Sequence, residues 1–228
     1  MISSAIKFIG DQISALDWVE VYGGLVQTIR MKQGDAENDV YNVFPISCDV
    51  SEADCVENQK YQDLIPDDSK MSIVYFETTT GLQDNGYLTI KGNSKNKGYR
   101  VFKGNVRLVA WLNSTKLGTD STCNTSDMAM RSIIKLLNKE FGPNTFPAGS
   151  LFENSYINFN IARILPKDHR VIFGRYNYLD SNGYWMYPFD FFAIDLSLTI
   201  NLALCDYDFP DNGIPINPNE CVDYRRIL

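Results

Sequence analysis

The chain has 228 residues, 44% of them hydrophobic and 13% aromatic, which is enough to bury a substantial core and excludes a disordered polypeptide. Its formal charge of -7 argues against a general nucleic-acid binder, because neutralising phosphates takes a surplus of Lys and Arg, although a local basic patch stays compatible with it. The odd number of scattered cysteines, Cys48, Cys55, Cys123, Cys205 and Cys221, fits reduced thiols better than a disulfide framework; Cys48 and Cys55 form the closest pair.

The opening segment spaces its apolar residues instead of running them together, so it lacks the core of a signal peptide and cannot span a bilayer; a cytosolic product is expected. Ile2, Ala5, Ile6, Ile9, Ile13 and Leu16 recur at three- and four-residue steps, which predicts an amphipathic helix. A hairpin is expected next, with Trp18 to Tyr22 and Leu25 to Met31 as strands around Gly23-Gly24. Val40 to Phe44 predicts a strand stopped by Pro45, and Ser72 to Thr78 another. Asp84-Asn85-Gly86 signals a turn before a strand at Tyr87 to Lys91, and the loop Gly92 to Gly98 precedes one at Tyr99 to Asn113, giving an antiparallel meander.

Ser126-Asp127 can cap a second helix carrying Ala129, Ile133, Leu136, Leu137 and Phe141 and ending at Gly142-Pro143. Ile157, Phe159 and Ile161 alternate in a strand that ends near Pro166; Val171 to Tyr178 and Tyr184 to Tyr187 are expected to pair across Asp180 to Gly183. From Phe192 to Leu204 every second residue is apolar, the mark of a strand with one oily and one mostly polar face. Such a strand would span roughly 40 Å and suits a scaffold; a membrane barrel would need many like it. Its oily face is expected beneath the two helices, and Asp195, Ser197, Thr199 and Asn201 toward a neighbour or a wet lumen. The tail from Asp206 to Leu228 holds Pro210, Pro215 and Pro218 and is expected to be an irregular arm. The organisation expected is α+β: one domain over 1–205, an antiparallel meander with a long closing strand packed against two amphipathic helices, with long loops and the arm 206–228.

Candidate chemistry is sparse. His169 is the single histidine, so any triad must use it, yet it lies in a turn-like stretch and reads better as a surface residue. Cys48 and Cys55 are too far apart for a paired zinc site. The carboxylates of Asp206, Asp208 and Asp211 invite calcium, but Asn217 stands where an EF-hand places Glu and Pro210 breaks the loop. Phosphate-loop, dinucleotide, metalloprotease and hydrolase signatures do not occur. No catalytic residue, cofactor or metal is expected.

Two patterns rise above this background. Asp35 to Asp68 contains ten carboxylates and one lysine, whereas Lys91, Lys95, Lys97, Arg100, Lys103 and Arg107 form a run without an acid. Both could be solvated loops; alternatively the acidic loop, with Asp49, Glu52 and Asp54, meets the basic loop of the next copy in a head-to-tail contact that closes into a ring. Around the predicted turn near residue 182, Tyr176, Tyr178, Tyr184, Trp185, Tyr187, Phe189, Phe191 and Phe192 crowd together; an exposed Tyr and Trp there would suit a partner or glycan platform.

The order of parts, namely an N-terminal helix, a meander holding Arg107-Leu108-Val109-Ala110-Trp111-Leu112-Asn113, a second helix and a long closing strand, resembles tail-terminator and head-to-tail connector proteins of tailed phages. The wording of Ala15-Leu16-Asp17-Trp18-Val19-Glu20-Val21-Tyr22-Gly23-Gly24, Pro45-Ile46-Ser47-Cys48-Asp49-Val50 and Tyr61-Gln62-Asp63-Leu64-Ile65-Pro66 is similar to structural proteins of phages of gut Bacteroidetes, including the crAss-like group. The resemblance implies a non-enzymatic virion part, assembled in the host bacterial cytoplasm, that forms a homo-oligomeric ring. It also implies connector, portal or tail proteins as neighbours, DNA passing without sequence-specific binding, and no membrane partner. The long loops Gly34 to Asp39 and Ser47 to Lys70 and the tail depart from that pattern.

Overall fold

The computed structural model describes residues 1–32, 41–47, 61–91, 96–118, 125–138, 141–142, 145–146, 152, 154–176 and 181–206. The architecture is α+β, as the sequence leads one to expect. Helix α1 (Ile2–Ile13) buries Ala5, Ile6, Ile9 and Ile13, the stripe set by three- and four-residue spacing. Strands β1 (Val21–Leu25), β5 (Ser72–Lys91), β6 (Asn96–Asn113), β8 (Phe189–Asp206) and β7 (Tyr156–Ile164) lie in that order in a five-stranded sheet. A three-stranded sheet has the order β2 (Gln27–Lys32), β3 (Tyr41–Ser47) and β4 (Gln62–Asp63). Helix α2 spans Thr125–Leu137 and the short helix α3 spans His169–Phe173.

Several local expectations are corrected. The segments around Gly23-Gly24 do not form a hairpin: β1 runs parallel to β5, and β2 pairs antiparallel with β3 in the other sheet, so the large sheet is mixed. Gly24 takes φ 62°, open to glycine at no steric cost, and the Val26 amide donates to the Phe76 carbonyl just before the chain changes sheets. Pro45 does not stop β3 but lies inside it, opposite Thr28, and its carbonyl accepts from the Leu64 amide. The turn at Asp84-Asn85-Gly86 is absorbed into a continuous β5: the Asp84 carboxylate accepts the Gly86 amide at 2.9 Å and Gly86 takes φ 81°, a local kink within the strand. Val171 and its neighbours are helical, not extended, because Asp168 caps α3 by accepting the Arg170 amide at 2.9 Å. Ser181–Trp185, which includes the start of the second strand expected there, is a 3-10 turn.

Helix α2 ends at Leu137, and Phe141 instead forms an isolated bridge with Ile157 of β7. Its start is held by a group far away in sequence: the Asp190 carboxylate of β8 accepts the Ser126 amide at 3.0 Å.

By packing, the chain divides into two compact units, one of Met1–Thr79, Val106–Asn138 and Ile161–Leu196, the other of Thr80–Asn105, Lys139–Asn160 and Ser197–Leu228. The body assigned to 1–205 in the sequence spans both. In the first unit the sheet is covered on both faces. On one face α1 packs against β1 and α2, and the Tyr22 ring lies between Gly10 and Phe76. On the other, Val21, Ile73, Tyr75, Val109, Trp111, Phe191 and Ala193 meet Leu165, Ile172, Phe173 and Tyr176 from the connection between β7 and β8. This double cover explains why Leu108 to Leu112 are buried without a break instead of alternating.

In the second unit Tyr99 meets Tyr156 edge-on at 5.6 Å, and Phe141 meets Phe159 at 6.2 Å. Along β8 the residues Phe192, Ile194, Leu196, Leu198, Ile200 and Leu202 are all buried, as the period of two requires.

Candidate functional site

Adjacent strands of the first unit carry charges of alternating sign: Glu77 on β5, Arg107 on β6, Asp195 on β8 and Arg163 on β7. Arg107 donates from Nε to Asp195 Oδ1 at 2.7 Å, and Arg163 donates from Nη2 to Oδ2 at 2.9 Å. Burial alone would raise the Asp195 carboxyl, but the hydrogen bonds and charges of Arg107 and Arg163 outweigh it and hold the group below its ordinary range. This polar-face residue of the long strand is therefore spent within the sheet and not turned to a neighbour.

Glu77 is 1% exposed, and burial lifts its carboxyl above the ordinary range against the pull of Tyr176, Arg175 and Arg107. Its Oε1 accepts from the Tyr176 hydroxyl and from Arg175 Nη2 at 2.9 Å, while Oε2 has no hydrogen-bond partner among the described residues. Arg175 also donates to the Tyr176 oxygen at 2.7 Å. The chemistry of the row is the matching of charge across strands: each paired carboxylate oxygen faces a cation or a hydroxyl donor.

The second unit, within Thr80–Asn105, holds a different arrangement in the ribbon formed by the end of β5, up to Lys91, and the start of β6, from Asn96. Asp84 is the only acid there, against Lys91, Lys95, Lys97, Arg100 and Lys103. Arg100 donates from Nε and Nη2 to Asp84 Oδ2, the first at 2.9 Å, and this bonding, helped by the Gly86 amide, holds the Asp84 carboxyl below its usual range. The Arg100 guanidinium also stands 5.5 Å from the Tyr87 ring centre and 5.9 Å from that of Phe102. Thr80 Oγ1 ties the strands by accepting from both nitrogens of Asn105, at 3.0 and 2.9 Å. Lys103 is exposed, as are Tyr87 at 71% and Leu88 at 42%.

The structure sorts the interface residues expected from sequence. Arg100 and Lys103 lie on the ribbon, Lys91 closes β5 and Lys97 lies near the start of β6. Asp49, Glu52, Asp54 and Lys95, the side chains of Lys91 and Lys97, the Cys48 and Cys55 pair, and the tail beyond Asp206 lie outside the described residues.

Tyr184 and Trp185 correct the platform expectation. Both are partly buried and pack on the core of the first unit, Trp185 stacked on Phe173 at 4.3 Å and Tyr184 edge-on to Trp111 at 6.4 Å. Tyr176 is buried and bonded to Glu77, Tyr178 lies outside the described residues, and among the described residues here the exposed large apolar side chains are Met186 and Tyr187. His169 opens α3, with its ring parallel to Trp185 at 6.1 Å.

Sequence reasoning missed the charged row. Its available signals were Asp195, the lone charge in the alternating strand, and Glu77, set directly after an apolar run. Among the described residues no trio of His, Cys, Asp or Glu gathers as a metal site, and no helix is long and apolar enough to cross a membrane. Comparison with protein-family models, with curated proteins and with solved structures found no match.

Proposed function

We propose that this chain is a structural subunit of a tailed-phage virion, one that forms an oligomeric ring at the head-to-tail connector or tail end and links the portal side to the tail around the DNA conduit. The observation that carries this reading is the ribbon Thr80–Asn105. It exposes Lys103, Tyr87 and Leu88 in a stretch whose sequence is a basic run, in a chain whose segment Asp35 to Asp68 is rich in acids. A surface that joins same-sign charge with exposed apolar side chains fits assembly with a partner of opposite charge. The rigidity such a subunit needs is supported by the first unit, where Asp195 is paired to arginines of the neighbouring strands β6 and β7 and Glu77 of β5 is held by Arg175 and Tyr176 of the connection between β7 and β8.

The partners under this reading are further copies of the chain and adjacent connector, portal or tail proteins, with no cofactor and no catalytic step. Native mass spectrometry of the assembled particle, with size exclusion and light scattering of the released protein, is expected to show a closed oligomer. Finding only monomers would sink the reading.

A further inference from the structure

We propose that the outer edge of β5 between Thr80 and Asp84 is a self-association site, at which the same edge of a second copy adds antiparallel across a two-fold axis. The inference goes beyond the ring reading: a contact between equal edges joins copies in pairs and neither needs nor forbids a ring.

An edge strand presents unpaired amides and carbonyls, and proteins guard such edges with charge, proline, bulges or a covering segment. The two edges of the large sheet differ in this respect. On one, β7 is covered at Ile157, which exchanges backbone bonds with Phe141 at 2.9 and 3.4 Å. On the other, β1 pairs with β5 only as far as Phe76, whose carbonyl accepts the Val26 amide at 2.9 Å. Among the described residues no strand lies beside the outer side of β5 beyond that point. Because the Phe76 carbonyl is aimed outward, strand alternation aims the backbone groups of Thr80, Leu82 and Asp84 outward as well. Further along, the Asp84 carboxylate takes the Gly86 amide at 2.9 Å and Gly86 turns to φ 81°, which closes the edge there. The open window is therefore Thr80-Gly81-Leu82-Gln83-Asp84.

This window carries none of the usual guards. It has no proline, and its one charge, Asp84, is neutralised by Arg100 inside the ribbon. Thr80, Gly81, Gln83 and Asp84 are exposed and Leu82 is partly buried. The Thr80 hydroxyl oxygen is already spent in accepting from Asn105, which holds β6 behind the edge and leaves the outward backbone to be met. Another extended backbone is what matches amides and carbonyls in this alternation. A second copy fits because the window is complementary to itself. Antiparallel, Leu82 faces Leu82 and Thr80 faces Asp84, so neither Asp84 stands opposite another acid. Each outward-facing pair exchanges two backbone bonds, about six in all.

The test uses the full chain. Sedimentation velocity over a range of concentrations reads association, deuterium exchange of the peptide spanning Thr80–Asp84 reads the edge, and near-ultraviolet circular dichroism reads folding. Exchange in that peptide is expected to slow as the parent chain associates. Leu82→Pro removes an outward amide, a change that edge strands tolerate, and is expected to weaken association roughly tenfold or more through the two bonds lost at the centre of the contact. Leu82→Lys sets like charges opposite each other at the two-fold axis and is expected to weaken it as well. Parent-like association of either folded variant would overturn the proposal, as would a parent chain that stays monomeric throughout. Slowed exchange at Tyr156–Ile164 in place of Thr80–Asp84 would move the contact to the other edge and also overturn it. Should neither variant fold, exchange in the parent chain decides alone.

Discussion

Replacing Asp195 by Asn tests whether the charged row holds the sheet of the first unit together. The carboxylate accepts from Arg107 at 2.7 and 3.4 Å and from Arg163 at 2.9 Å, and its own side chain is 20% exposed. The two arginines differ in a way that fixes the expected magnitudes: Arg107 is 19% exposed, Arg163 is 65% exposed. Hydrogen bonds to a charged group contribute about 1.5 to 3 kcal/mol each, and losing the partner of a poorly solvated cation adds a desolvation cost. An exposed pair contributes at most about 1 kcal/mol. Asp195→Asn should therefore cost about 3 kcal/mol, almost all through Arg107, and Arg163→Gln under about 1 kcal/mol. At about 2 to 4 °C per kcal/mol for a chain of this size, the first variant should melt roughly 6 to 12 °C lower.

Urea unfolding followed by fluorescence reads both variants, and a double-mutant cycle of Asp195→Asn with Arg107→Gln isolates the buried leg. The pH sign follows from the lowered Asp195 carboxyl: its stabilisation is present above the ordinary value of 3.8 and fades as pH falls through the still lower folded value. Equal losses for Asp195→Asn and Arg163→Gln, or a coupling to Arg107 below about 0.5 kcal/mol, would refute the row as a cross-strand tie.

Further outcomes follow from the same geometry. Glu77 holds its proton more tightly when folded than the ordinary value of 4.5 implies, so its contribution is most favourable at low pH and declines as pH rises through the raised folded value. Glu77→Gln should lack that decline, and a stability difference between variant and parent that does not change from about pH 4 to 7 would contradict the assignment. Trp185→Ala should cost about 3 kcal/mol and alter the near-ultraviolet spectrum, because the ring stacks on Phe173 and meets Phe191 edge-on; unchanged stability would return it to the surface. Gly23→Ala places a methyl against Leu64 and 3.2 Å from Tyr75 Cβ, and should cost about 1 to 3 kcal/mol in a thermal melt, whereas a neutral effect would show that the two sheets have room to part at this point.

How much of this was legible in the sequence depended on range. The stripe of α1 and the alternation of β8 are written at steps of three, four and two residues, and burial of Ile6, Ile9, Ile194 and Leu198 follows from helix and strand geometry alone. The strand boundaries between Gly23 and Met31 were not legible, because a glycine pair marks a break but not which sheet the next strand joins. The candidate surfaces divided in the same way: the basic run is plain in composition, but the Asp84 contact that removes Arg100 from it, and the packing that draws Trp185 onto the core, are not.

The sequence by itself determined the α+β class, the oily face of the closing strand and the segregation of charge, since each depends on residue type and short spacing. The tertiary structure alone decided what those faces meet. Glu77 finds Tyr176 across 99 positions, Arg107 finds Asp195 across 88, and Ser126 takes its cap from Asp190 across 64. Local preference carries no information about partners so far apart: Arg107 meets Asp195 because the sheet order sets β6 beside β8, Glu77 meets Tyr176 because the connection between β7 and β8 packs onto the core of the first unit, and a buried charge must be paired to stay there.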